Sequence, residues 1–341
     1  MLSTVISMAE SIQAKVQDLG DLELAILVCL VAQEHCLFST GEGSTYDLQE
    51  ELRQICLSTF GLRPVVVECS AATTLDDFSE GILVDSFDDG DDVDQQGRPD
   101  AELDSSSRPQ PGHFGSNMLD NRCIADVIIA TNLDLACENV QVQALELVRT
   151  KRIFTRRAMH TTSKDFMILA ITSKPGLRLF RHLNDMFCMS HVHAVEDGLP
   201  YSNGDLSKET ATQFTREDIA DLRILAEDAA HTPEIAAYMH NIVVFMRNNR
   251  FIKGGVTATT TRQLRKIAKT LAPLHGLDYV PPSLVALAVR KLYPHRLRLA
   301  TMETERSLQW GSDPAAIKQL LEGVTVEDAI EDVLATVQTP L

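Results

Sequence analysis

Hydrophobic periodicity divides the chain into two unlike halves. From Leu22 to Glu34 the sequence is apolar over the length of a helix, CLFS follows as a short strand, and Leu48 to Phe60 again has helical spacing. Pro64 to Cys69 (PVVVEC), Ala125 to Thr131 (ADVIIAT) and Phe166 to Thr172 (FMILAIT) are short apolar runs rich in β-branched residues, and Val140 to Lys151 between the last two reads as a helix. Strands that are apolar on both faces and alternate with helices predict a parallel sheet with flanking helices, an α/β fold. From Thr215 onward the strand pattern stops. Helices are predicted at Arg216 to Ala230, Pro233 to Asn249, Thr257 to Leu274 and Pro282 to Leu292, with a last one at Pro314 to Leu321 or Val326 to Val337. The turn-rich stretch AVEDGLPYSNGDLSKET separates the halves. The expected division is an α/β core over residues 1–195, a linker over 196–215, a small all-helical domain over 216–300 and a helical extension over 301–341.

Charge changes this picture at one place. The 48 acidic and 31 basic residues leave a net charge of −17, and Asp85 to Asp104 alone holds nine carboxylates against one arginine. With so little apolar surface to bury, Asp85 to Asn117 is expected to be a disordered acidic insertion. A calcium loop starting at Asp92 is the alternative, because Asp92, Asp94, Gln96 and Gly97 have EF-hand spacing, but the twelfth position is Leu103 and no amphipathic helices flank it. The negative total opposes nucleic acid as a partner; only RTKRIFTRR (Arg149 to Arg157) offers a basic patch, and its spacing fits a solvated helix end and hairpin better.

The seven cysteines form no CxxC pair, which predicts reduced thiols and no zinc site. His191 and His193 in SHVH alternate as on a strand and could share one face as metal ligands, without a third ligand spaced nearby. Ser39, Ser44 and Ser173 lie at strand ends but in no nucleophile elbow. Trp310, the only tryptophan, is expected to anchor the last helices. No apolar run reaches the length of a membrane span and no basic, apolar leader opens the chain, so a soluble protein of the cytoplasm or nucleus is expected.

The stretch from Tyr238 to Leu297, with GGVTATTTRQL opening a helix and GLDYVPP preceding the next, resembles the lid of the magnesium-chelatase I-subunit and MoxR-like group of AAA+ ATPases, and in particular fungal proteins named magnesium-chelatase-like. NVQVQALELVRTKRI and DFMILAIT are similar to that group's helix after the second nucleotide motif and its sensor strand. The resemblance implies an AAA+-like sheet followed by a helical lid, a nucleotide site at the strand ends, and assembly with copies of itself or with AAA+ homologues.

Laid on that pattern, the phosphate loop G-x-x-x-x-G-K-[ST] falls on Thr40 to Asp47. Gly43 is retained; Thr40 and Thr45 replace glycines, Tyr46 stands at the lysine, and Asp47 stands where a hydroxyl should bind magnesium, with Ser44 between. Such a loop needs glycines so that backbone N–H groups can wrap a phosphate, and a lysine to neutralise it. The metal and water-activating carboxylates of the second motif are Thr131 and Asn132, and Asp134 beyond them is expected to cap a helix. Ser173 occupies the sensor position, Met186 the arginine of the Asp-Arg-Phe turn, and Thr259 the lid arginine, with Arg262 one turn further on. The expected function is therefore an ATPase-deficient AAA+ family member acting as a scaffold or regulatory subunit through a protein partner, with no cofactor. The alternatives are an ATP-hydrolysing chelatase subunit or remodelling enzyme, and a nucleic-acid-associated adaptor.

Overall fold

The computed structural model describes residues 12–41, 44–85, 122–172, 174, 178–194, 197–199, 201 and 213–340. In the first half the elements are α1 (described over residues 12–17), α2 (Asp21–Ala32), β1 (His35–Ser39), α3 (Thr45–Ser58), β2 (Pro64–Glu68), α4 (Leu75–Gly81), β3 (Leu83–Asp85), β4 (Arg122–Ile124) and β5 (Val127–Thr131). They continue with α5 (Glu138–Thr150), β6 (Arg152–Phe154), β7 (Met159–Thr161), β8 (Met167–Thr172), the single turn α6 (Arg181–Asn184) and β9 (Phe187–Val192). The second half holds α7 (Arg216–Asp228), α8 (Pro233–Asn248), β10 (Ile252–Gly254), α9 (Ala258–Leu274), α10 (Pro282–Leu292), β11 (Arg298–Leu299), α11 (Pro314–Leu321) and α12 (Val326–Thr336).

Five of these strands form one parallel sheet in the order β2-β5-β8-β1-β9. Because its members are covered on both faces, their side chains alternate between two apolar layers. Val127 and Ile129 of β5, with Met167, Leu169 and Ile171 of β8, face the layer that contains α2 and the helical half. Ile128, Ala130, Ile168 and Ala170 face the layer that contains α4 and α5. This is why β5 and β8 read as unbroken apolar runs rather than as alternating ones.

Helix α2 has no polar stripe, and its packing explains why. Nine of its residues are buried, since it lies against β1 and β9 on one side and α7 and α9 on the other. The helical half therefore shares a continuous core with one face of the sheet, running through Ile219, Leu222, Ile242, Leu264, Ala288 and Val333.

Several details depart from the sequence reading. The helical half contains a short antiparallel pair, β10 with β11, where no strand was expected. Both candidate terminal helices form. Asp85, taken as the start of the acidic insertion, ends β3 and pairs with Arg122 of β4; the rest of the insertion, and the calcium-loop positions in it, lie outside the described residues. Trp310 does not anchor anything: it ends a 3-10 turn and is 87% exposed. The basic stretch after α5 does form a hairpin, β6 with β7.

Candidate functional site

In an open parallel sheet, ligands bind beyond the carboxyl ends of the strands, where the direction of strand addition reverses. Here that point is β1, which has β8 on one side and β9 on the other. The carboxyl ends of β1, β8 and β5 carry Ser39, Thr172 and Thr131, so the expected phosphate loop and second motif do lie on one rim.

Several described positions of that rim carry groups other than those the resemblance implies for a nucleotide site. Thr40 is completely buried; its N–H donates to the Thr172 carbonyl at 3.3 Å and its hydroxyl has no partner. A Cβ added at Gly41 would meet no protein atom within 4 Å, so packing does not require that glycine. Gly43 lies outside the described residues. Ser44 is the N-cap of α3 but makes no side-chain cap bond, and Thr45 begins the helix. Tyr46, at the lysine position, is 67% exposed, and Asp47 is exposed in the first turn. A carboxylate there answers the positive helix end itself and repels a phosphate.

At the tip of β5 the Thr131 hydroxyl is buried and donates to Oε1 of Gln49, on α3, at 2.8 Å. Its carbonyl accepts the Cys69 N–H at 2.8 Å. Asn132 turns the chain away in a left-handed conformation (φ 55°), its N–H bonded to the Ile171 carbonyl at 2.8 Å. Gln49 was not foreseen, because a mid-helix glutamine carries no motif signal. Asp134 was expected to cap a helix and does not: Cys137 precedes α5, while Asp134 is half-buried with Oδ1 unpartnered and its carboxyl pushed up by desolvation. Ser173 lies outside the described residues.

The lid position is elsewhere altogether. Thr259 and Arg262 line a cavity of about 650 Å³ with Glu34, His35, Lys151 and Lys266. His35 begins β1, so this cavity is at the amino ends of the strands, roughly 13 Å or more from Thr40 by the rise of a five-residue strand. Within one chain, Thr259 therefore does not join Thr40 and Thr131 in a shared site, and Arg262 does not restore one. His35 is buried there, and its Nδ1 accepts the Ile168 N–H at 3.0 Å. Desolvation, then the nearby Lys151 and Lys266 charges, hold its pKa well below the usual imidazole range.

A polar seam joins the sheet to the helical half. Asp185, beside Met186, accepts the Thr257 hydroxyl at 2.8 and 2.9 Å and the Thr260 hydroxyl at 3.3 Å at the start of α9. Gln263 donates to Glu34 at 2.7 Å, and Lys266 pairs with the same carboxylate at 3.0 Å. His191 and His193 are both buried, with ring centroids 6.5 Å apart. Among the described residues no group of three or more His, Cys, Asp or Glu side chains could hold a metal, and no helix is long and apolar enough to cross a membrane.

Comparison with known proteins places the fold. No protein-family model matches the chain. A candidate ATPase from Cytophaga hutchinsonii superposes with a TM-score of 0.68 at 14% identity, covering 100% of this chain and 99% of that one. A full-length MCM homolog from Methanopyrus kandleri gives a TM-score of 0.45 at 13% identity over 84% of this chain and 59% of the homolog. In sequence, the chain is 25% identical over 203 residues to the maintenance of telomere capping protein 2 of Lachancea thermotolerans, a match covering 58% of this chain and 66% of the relative, just under two thirds of its length. The parallel five-stranded sheet with flanking helices is an α/β fold shared with the Cytophaga protein.

Proposed function

We propose that this chain is a non-hydrolysing AAA+-like module, related to the magnesium-chelatase and MoxR-like group, that acts as a scaffold or regulatory subunit on a protein partner. The observation that carries this reading is the rim of β1 and β5. The position of the metal-binding carboxylate is Thr131, and its hydroxyl is already committed to Gln49 in a buried bond. The lysine position is an exposed tyrosine followed by an aspartate. Phosphoryl transfer is almost entirely charge neutralisation and positioning, and the positions that would supply the cation, the metal ligand and the water-orienting carboxylate are Tyr46, Thr131 and Asn132, which retain little of what lowers the barrier. On this reading its use is binding to other proteins, such as AAA+ homologues or further copies of this chain. The relative concerned with telomere capping supports a nuclear setting.

Calorimetric titration with ATP and magnesium tests this directly. The expected result is no saturable heat. Binding at micromolar nucleotide that disappears on changing Ser44 or Thr45 would replace the scaffold by the ATP-hydrolysing reading.

A further inference from the structure

Between α6 and the turn that enters α9, the two halves enclose a pocket of about 210 Å³ lined by Arg178, Arg181, Arg296 and Arg298, with Asn184 and Asp185. Four arginines on one small cavity are unexpected in a chain of net charge −17. We propose that this pocket binds a phosphate group, free or at the end of a small phosphomonoester, through the four guanidinium groups.

Among the described lining residues, four guanidinium groups face one carboxylate. The carboxylate on its wall is Asp185, and it is occupied by the hydroxyls of Thr257 and Thr260. None of the four arginines forms an ion pair among the described residues. Arg178, exposed at the pocket edge, is bonded only to the carbonyl of Leu297 among the described residues, and partial desolvation, then the adjacent Arg298, disfavour its charged form. Like charges side by side without a counter-ion cost free energy that a bound dianion would return.

Arg296 is the built part of the site. It is 4% exposed and held through two nitrogens: one terminal nitrogen contacts the carbonyls of Asp185 and Phe187 and Oε1 of Gln263, and Nε donates to His295 Nε2 at 3.2 Å. Its other terminal nitrogen, Nη1, has no partner, as do Oδ1 of the neighbouring Asn184 and Nδ1 of His295. A buried guanidinium nitrogen is rarely left without an acceptor, and Arg296 is one of the residues that line the cavity. Gly255 sits at φ +113°, and a Cβ there would come within 2.1 Å of the Arg296 carbonyl, so only glycine allows the α9 entry turn to pass this close to β11. Planar guanidinium forks match phosphate oxygens in pairs, and the volume suits a phosphate with a small substituent rather than a whole nucleotide.

The test is calorimetric titration of the full chain with inorganic phosphate and with phenyl phosphate, using chloride at equal ionic strength as the blank. Expected is saturable binding of at least one of the two, with a raised melting temperature. Tighter binding of inorganic phosphate identifies a free anion, and tighter binding of phenyl phosphate an ester. Arg178 and Arg298 are exposed at the pocket edge, so Arg178→Gln with Arg298→Gln should leave the circular dichroism unchanged and weaken binding by about tenfold or more. Arg149→Gln with Arg262→Gln, in the cavity at the amino ends of the strands, should leave it as in the wild type. Heats equal to the chloride blank, binding that survives in the folded Arg178 and Arg298 variant, or binding lost only in the Arg149 and Arg262 variant would each overturn the proposal.

Discussion

Thr131, at the end of β5, gives its buried hydroxyl to Gln49 of α3 at 2.8 Å, so the helix after the first strand is tied to the sheet by a neutral hydrogen bond at the rim. Thr131→Val removes the donor and leaves the Gln49 oxygen buried without a partner, which should cost about 1–3 kcal/mol in urea unfolding. Replacing both residues, Thr131→Val with Gln49→Met, should recover part of that loss, since no polar atom is then stranded; a fully additive double variant would show that the pair does not interact.

ATP turnover should be absent from the wild-type chain and remain absent after any single repair. Tyr46→Lys returns one charge, but Asp47 still faces the phosphate position and Thr131 and Asn132 still supply no carboxylate. Steady-state assays of the wild type, of Tyr46→Lys, and of Tyr46→Lys combined with Asp47→Thr, Thr131→Asp and Asn132→Glu check this. Turnover by the unmodified chain that is lost on changing Ser44 or Thr45 would refute it.

Acid should destabilise the protein through His35. Its Nδ1 accepts a main-chain N–H and Lys151 Nζ lies 3.5 Å from Nε2, so the folded state resists protonation and the folded pKa is depressed. An unfolded histidine takes up its proton near pH 6.5, so this contribution is complete above about pH 6.5 and is lost as pH falls below it towards the folded value. The urea midpoint should therefore drop between about pH 7.5 and about pH 5.5, and His35→Gln should reduce that drop whatever its effect at neutral pH.

How much of this was legible in the sequence depends on how local each signal is. The strands PVVVE, VIIAT and MILAIT and the helical phase of α9 and α10 were readable because burial on a periodic face dictates residue type at each position. The rim residues Thr40, Thr131 and Asn132 were placed together only by the family resemblance, and the structure sets them at the ends of β1 and β5. Thr259 was misplaced because its position depends on how the helical half is set against the sheet, which no local pattern encodes. Arg296 and Asp185 were invisible for a related reason: they are 111 residues apart and acquire their roles only when β9 and the end of α10 meet. Trp310 shows the limit of composition, as a large apolar ring is expected to be covered and this one is exposed.

Helical packing gives a further check. Leu284 is 6% exposed in the shared core, with Leu271, Ala288 and Leu292 also buried. Leu284→Ala should cost about 2–5 kcal/mol by thermal or urea unfolding, the range for emptying a buried leucine site.

Thiol labelling should separate the seven cysteines by burial. Cys137 is exposed and should react first in the native protein, followed by the half-buried Cys123. Burial pushes the Cys56 and Cys69 thiols up to about 12 and raises those of Cys29 and Cys188 well above the ordinary value. Those four should label only after denaturant is added, a difference that mass spectrometry of timed samples will read.

The antiparallel pair of Leu83–Asp85 with Arg122–Ile124 has a consequence for how this protein can vary and be engineered. It holds the two ends of residues 86–121 at one interstrand spacing, roughly 5 Å, whatever lies between them. For an inserted flexible segment the closure cost grows only logarithmically with its length, so the register of the stem does not depend on it. The hairpin stem is thus a natural graft point, where a fluorescent domain or an affinity tag with closely spaced termini can be carried without moving either the strand rim or the arginine pocket.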